Sequence, residues 1–189
     1  MAYLKVTSDL DVFSQYMIAK SLNYFNGDKE KAEELAEMLL PSRKGVSLRL
    51  ADHLVVQYSR DNDLMIPNPR GGPPIQLWNS YRRTLVVNTK KYFDVFKRKN
   101  IIKAVLLDEE IESTVGQIVF LAWYSEKGLV DFMNEHQLDV RKHMQSNEQK
   151  TRKRIKSETV KMRKPRAPSR SESVKPKSHQ FTGEFMIKL

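Results

Sequence analysis

The chain has 189 residues, 40% of them hydrophobic, with no cysteine and a net charge of +10. That length suits one domain plus an extension, and the missing cysteine excludes disulfides, thiolate metal sites and a cysteine nucleophile. The charge is uneven: residues 141–189 carry 15 Lys/Arg against 4 Asp/Glu, a net of +11, while the remainder carries 18 against 19, a net of −1.

The opening MAYLKVTSDLDVF has no charged segment ahead of an apolar run, so no signal peptide is expected. No stretch approaches the roughly 20 apolar residues of a membrane span, so a soluble chain is expected. Ser8 and Asp9 are placed to cap a helix over residues 10–25, which Gly27 ends. DKEKAEELAEMLL follows as a second helix, acidic at its start and stopped by Pro41. Ser47 opens a third helix, LRLADHLVVQYS. Residues 60–74 then hold four prolines and two glycines and read as a loop. Gly71 and Gly72 resemble no phosphate-binding loop, because no strand precedes them and no Lys-Ser/Thr follows.

The stretch LWNSYRRTLVVNTKKYFDVFKRK, residues 77–99, organises the chain. Leu77, Trp78, Tyr81 and Leu85 recur at helical spacing, which predicts a helix to about Lys91. Arg82, Arg83, Lys90, Lys91, Lys97, Arg98 and Lys99 lie between the apolar positions. NIIKAVLL reads as a short strand or an apolar linker. The acids of DEEIES, Asp108 to Glu112, can lie against the basic face. Thr114 and Gln117 form a T-x-x-Q capping box ahead of VGQIVFLAWYSE. Gly128 ends that helix, and a last one runs from Leu129 to about Gln145.

The expected fold is mainly α: a compact helical domain of about five or six helices, with room for one short strand pair, over residues 1–146. Residues 147–178 combine dense positive charge with proline, serine and few large apolar side chains, which predicts a basic disordered tail. Residues 179–189 turn apolar again. There Phe181, Phe185, Met186, Ile187 and Leu189 form a protein-docking peptide, because such a cluster on a polar tether marks an interaction site.

Three segments in order, VSLRLADHLVVQYSRDN, KKYFDVFKRK and STVGQIVFLAWYSEKGLVDFM, resemble an uncharacterised conserved family of large eukaryotic double-stranded DNA viruses, with phycodnavirus-like and mimivirus-like members. The residues carrying the likeness are Ser47, Leu48, Arg49, Lys91, Phe93, Asp94, Phe96, Arg98, Gln117, Phe120 and Trp123. It spans roughly residues 46–133. His53 stands where the family has tryptophan, and Val95 where an FDPF-type element has proline. The resemblance implies a viral protein of the virion or of the host-cell viral factory, in cytoplasm or nucleus. It transfers no activity and no catalytic residue.

Function is therefore argued from charge. The clusters Lys150, Arg152, Lys153, Arg154, Lys156 and Lys161, Arg163, Lys164, Arg166 can neutralise phosphates with little regard to sequence. The cations of residues 82–99 extend that footprint, or else pair with the acids of residues 108–112. Trp78, Tyr81, Tyr92, Phe93 and Phe96 can stack on bases, but aromatics at this spacing more often form core. His136 and His143 are seven apart, too far for a metal pair on one helix. His53 reads as a satisfied core histidine, and consecutive Asp108, Glu109 and Glu110 splay apart on a helix. No catalytic residue, metal site or cofactor is assigned. The expected function is that of a non-enzymatic viral nucleic-acid-binding accessory protein of genome packaging or virion structure, acting through its basic tail. The alternatives are a virion or capsid assembly adaptor, docking viral structural proteins through its tail and apolar end, and a viral transcription accessory factor.

Overall fold

Helix α1 (Val12–Asn26) starts at Asp11, whose carboxylate accepts the Ser14 N–H at 2.9 Å. Asp11, not Ser8 or Asp9, is therefore the cap. Ser8 serves a strand instead: its hydroxyl accepts the Lys103 N–H. Gly27 closes α1 with its own N–H on the Asn23 carbonyl, and Asp28 caps helix α2 (Lys29–Leu39) by accepting from Glu30 N–H. Leu40, the residue before Pro41, has left the helix for an extended conformation, as a following proline demands. In the computed structural model the described residues are 2–40, 43, 45–69, 71–88, 90–96 and 101–162.

Helix α3 (Leu48–His53) opens on Ser47, as expected, with the Ser47 hydroxyl taking the Leu50 N–H. The chain then widens into a π-helical turn, Leu54–Tyr58, and tightens again into α4 (Ser59–Asp61). Ser59 Oγ donates back to the Val55 carbonyl across that turn. The proline-rich segment holds a small ribbon, β2 (Met65–Ile66) antiparallel to β3 (Ile75–Gln76), that pins buried Ile66 to the body. Helix α5 (Leu77–Asn88) buries Leu77 and Tyr81, and a single 3-10 turn, Lys90–Tyr92, follows.

Strand content exceeds the one pair expected. Strand β1 (Leu4–Val6), β4 (Ile101–Leu106) and β5 (Glu109–Thr114) form an antiparallel sheet in the order β1-β4-β5, with Leu4 opposite Leu106. In β4, Ile102, Ala104 and Leu106 face the core while Ile101 and Lys103 face out, the two-residue alternation of a half-buried strand. The β4–β5 turn places Leu107 and Asp108 both at positive φ, 48° and 67°, the geometry of a type I′ hairpin. The Asp108–Glu112 acids thus belong to a hairpin, with Glu109, Glu110 and Glu112 exposed.

Helix α6 (Val115–Glu126) is the axis of the body. Residues 115–124 are all buried except Gln117, as a helix apolar on every side requires. The capping box is present: Thr114 Oγ1 accepts the Gln117 N–H and Gln117 Oε1 accepts the Thr114 N–H, both at 3.1 Å. Gln117 also donates its amide to the Val95 carbonyl at 3.1 Å, so one side chain starts α6 and anchors the FDVF segment. That segment turns without the proline of the resembling family, because the Asp94 carboxylate accepts the Phe96 N–H two residues on.

Helix α7 (Leu129–Met162) corrects the expectation of a disordered tail from residue 147. From Asn147 to Met162 the chain lacks apolar periodicity, but it also lacks glycine and proline and is rich in Lys, Arg, Gln and Glu. Those residues lose little side-chain freedom in a helix, and propensity alone carries it onward. The chain divides into two units, Met1–Lys150 and Thr151–Leu189, against the expected edge after Ser146. The rest of the expected tail and the C-terminal docking peptide, residues 163–189, lie outside the described residues.

Candidate nucleic-acid interface

Among the described residues, the cations of the second unit are carried by the last turns of α7. Arg152, Lys153, Arg154 and Lys156 are all exposed, and the backbone is still helical at Lys161. From Arg152 to Lys161 the helix rises roughly 13 Å, a length along which duplex DNA presents roughly eight phosphate charges. Lys150, also exposed, closes the first unit. Arg163, Lys164 and Arg166 lie beyond the described residues.

The first unit carries the other candidate cations. Arg82 and Arg83 are exposed on α5 and Lys90 is exposed in the turn after it. Lys91 lies in that turn, while Lys97, Arg98 and Lys99 fall outside the described residues. Of the acids offered as their partners, Glu109 meets Arg43 at 4.0 Å. The aromatic side chains of the same stretch are mostly core. Phe93 sits 5.8 Å from the Tyr81 ring, 5.5 Å from Phe120 and 5.6 Å from Trp123. Tyr92 is buried as well, and Trp78 lies partly buried with the Arg60 guanidinium 5.9 Å from its ring. Phe96, by contrast, is exposed.

A polar cluster that sequence spacing did not show lies on the first unit. His53 Nε2 is 2.9 Å from His143 Nδ1, and His143 Nε2 is 3.5 Å from an Asp61 carboxylate oxygen. The Tyr58 ring closes on His143 edge-on. The His–His hydrogen bond needs one ring as donor and one as acceptor, so it cannot survive with both rings cationic. Burial, and then the neighbouring His143, hold His53 below the usual histidine range. Arg49 and Glu148 add an ion pair at 2.7 Å. The two histidines stand 90 residues apart in sequence, and only the docking of α7 on α3 brings them together.

Beside this cluster, burial and then the Asp94 carboxylate push Asp52 up to about 6, and burial with both acids pushes Tyr81 up to about 12. The folded chain thus binds the Asp52 proton more tightly than the unfolded chain, whose value is 3.8. Stability from this group is full below that ordinary value and is lost as pH rises through about 6. Asp52→Asn, which removes the charge, is expected to raise the urea midpoint of the full chain at pH 8. The gain should shrink as pH falls through about 6 and vanish near pH 3, below the ordinary value of 3.8, where folded and unfolded wild type are both protonated. A gain equal at both pH values would show that ionisation of Asp52 is not its source.

Among the described residues, no group of three or more His, Asp and Glu is placed to hold a metal ion. No described helix is long and apolar enough to cross a membrane.

An uncharacterized protein, L507, of Acanthamoeba polyphaga mimivirus is 21% identical to this chain over 146 residues, 73% of the chain. The chain spans 56% of the length of that relative. No solved structure matches it. The Phe93–Phe96 and Gln117–Trp123 segments pack as one unit, since Gln117 and α6 hold the FDVF turn. Residues 6–180, nearly the whole chain, match DUF7197, a family of unknown function, and the protein belongs to that family.

Proposed function

We propose that the protein is a viral, non-enzymatic nucleic-acid-binding accessory of genome packaging or virion structure, working in the virion or the viral factory. The observation that carries this reading is the charge split: a near-neutral body joined to a strongly basic second unit whose Arg152, Lys153, Arg154 and Lys156 are all exposed on one helix. Such a helix surrounds itself with cations and reads no bases, so its binding to phosphates is sequence-independent and salt-dependent. The likeness to a mimivirus protein supports the viral setting.

The test compares the full chain with a variant in which Arg152, Lys153, Arg154 and Lys156 are all glutamine, a substitution that keeps helix propensity. Both are titrated on random-sequence duplex DNA over a range of salt. Each lost phosphate contact should reduce the slope of log affinity against log salt by about 0.9, up to about 3.6 for four. Affinity near physiological salt should fall at least about tenfold, equivalent to about 1.4 kcal/mol. Unchanged affinity in the variant, with a loss in Arg82→Gln/Arg83→Gln instead, would move the interface to α5. Binding indifferent to salt in every variant would remove the proposal.

A further inference from the structure

Three helices of the body border an open groove of about 750 Å³. Its walls are α1 and α5 and its floor is α6. Each helix faces the groove with a row at helical spacing. From α1 come Tyr16 and Lys20; from α5, Arg83 and Val87; from α6, Trp123 and Glu126. Steps of three and four residues put each row on one helical face. Three such faces turned on one space form the surroundings that a fourth packed helix would have. Tyr16 and Val87 stand at the lip with 74% and 79% of their surface exposed, and Val12 continues the apolar face of α1 outward. Apolar side chains left open together on a soluble body mark an interaction surface.

We infer that this groove is the docking site for an acidic, amphipathic helix of a partner protein. The apolar floor calls for side chains at i, i+3 or i+4, and i+7 of the incoming helix. The two bordering helices α5 and α6 are each 12 residues long, about 18 Å, so an occupant of about three turns fills it. The charge comes from the rim. Lys20, Arg83 and Lys127 lie there against one acid, Glu126, which Lys20 already meets at 3.4 Å. The excess is cationic, and an acidic polar face on the incoming helix matches it and repels basic competitors. A nucleic-acid strand fits less well, because Trp123, which would have to offer its face to a base, is buried in the floor.

The test selects binders to the full chain from a random-peptide library long enough for about four helical turns. Enriched sequences should carry apolar residues at the stated spacing and a net negative charge, and the bound peptide should gain helical circular dichroism. Val87→Asp should weaken the selected peptide at least about tenfold and Lys127→Glu should weaken it further. Val86→Asp, one residue along and equally open but outside the groove, should leave it unchanged. Both valines are exposed, so the urea midpoint should confirm that each variant folds. The inference falls if no such pattern is enriched, or if Val86→Asp and Val87→Asp act alike. It also falls if a single-stranded oligonucleotide displaces the peptide, or if Val87→Asp dissociates a dimer of the chain, which would make the groove a self-interface.

Discussion

Replacing Phe93 with alanine is expected to lower the unfolding free energy of the body by about 3–5 kcal/mol. Phe93 is fully buried at the meeting point of Tyr81, Phe120 and Trp123, so its ring joins α5 to α6 through the FDVF turn. Removing it deletes both the transfer term and three ring contacts, and the rigid neighbours cannot collapse into the space. Urea unfolding of the full chain, followed through the fluorescence of Trp78 and Trp123, measures the loss. Phe96 supplies the comparison. It lies three residues away in the same turn but is 55% exposed, and its alanine variant should stay within about 0.5 kcal/mol of wild type. Similar effects at the two positions would mean that the aromatic cluster is not the joint between the helices.

The second large effect is expected at Gly116. Helix propensity alone favours Gly116→Ala by up to about 1 kcal/mol. Packing opposes it: a Cβ at Gly116 would lie 2.9 Å from the Asp94 carbonyl oxygen, a backbone atom that cannot swing aside. Overpacking of this kind costs about 1–3 kcal/mol, and here it also strains the neighbouring hydrogen bond from Gln117 to the Val95 carbonyl. The net result should be a loss of about 1–2 kcal/mol for alanine and a larger one for valine. A stabilised Gly116→Ala variant would show that α6 and the FDVF turn are not in close contact.

The parts of this fold legible in the sequence were those governed by local chemistry. Ser47, Gly27 and the Thr114/Gln117 box announce helix ends because each satisfies backbone groups within three or four residues of itself. The Leu77–Tyr81 stripe announced α5 for the same reason. What was missed depends on distant partners. Three residues, Leu4 to Val6, carry too little pattern to be read as a strand until β4 is beside them. The β4–β5 hairpin turns on Leu107-Asp108, which lacks the Asn-Gly or Asp-Gly signal of a type I′ turn. The last turns of α7 carry the dense charge of a disordered tail, but their helix propensity prevails. At the candidate sites, local reading located the cations. The meeting of His53 with His143 and the groove over α6 required the packing of helices far apart in the chain.

Strand β1 has a consequence for the order in which the protein is made. Its hydrogen-bonding partner, β4, comes about a hundred residues later in synthesis, a wait of roughly 5–20 s at common elongation rates. An unpaired strand edge held open that long invites pairing with other chains. Asn26, at the end of α1, guards the opposite edge of β1, since β4 pairs through Tyr3 and Thr7. Its side-chain amide accepts the Leu4 N–H at 2.7 Å and donates to the Leu4 carbonyl at 3.0 Å, imitating a neighbouring strand with one residue. That contact needs only the first 26 residues. The newborn segment can thus fold back on its own helix, with one edge occupied, and wait for the hairpin to be made.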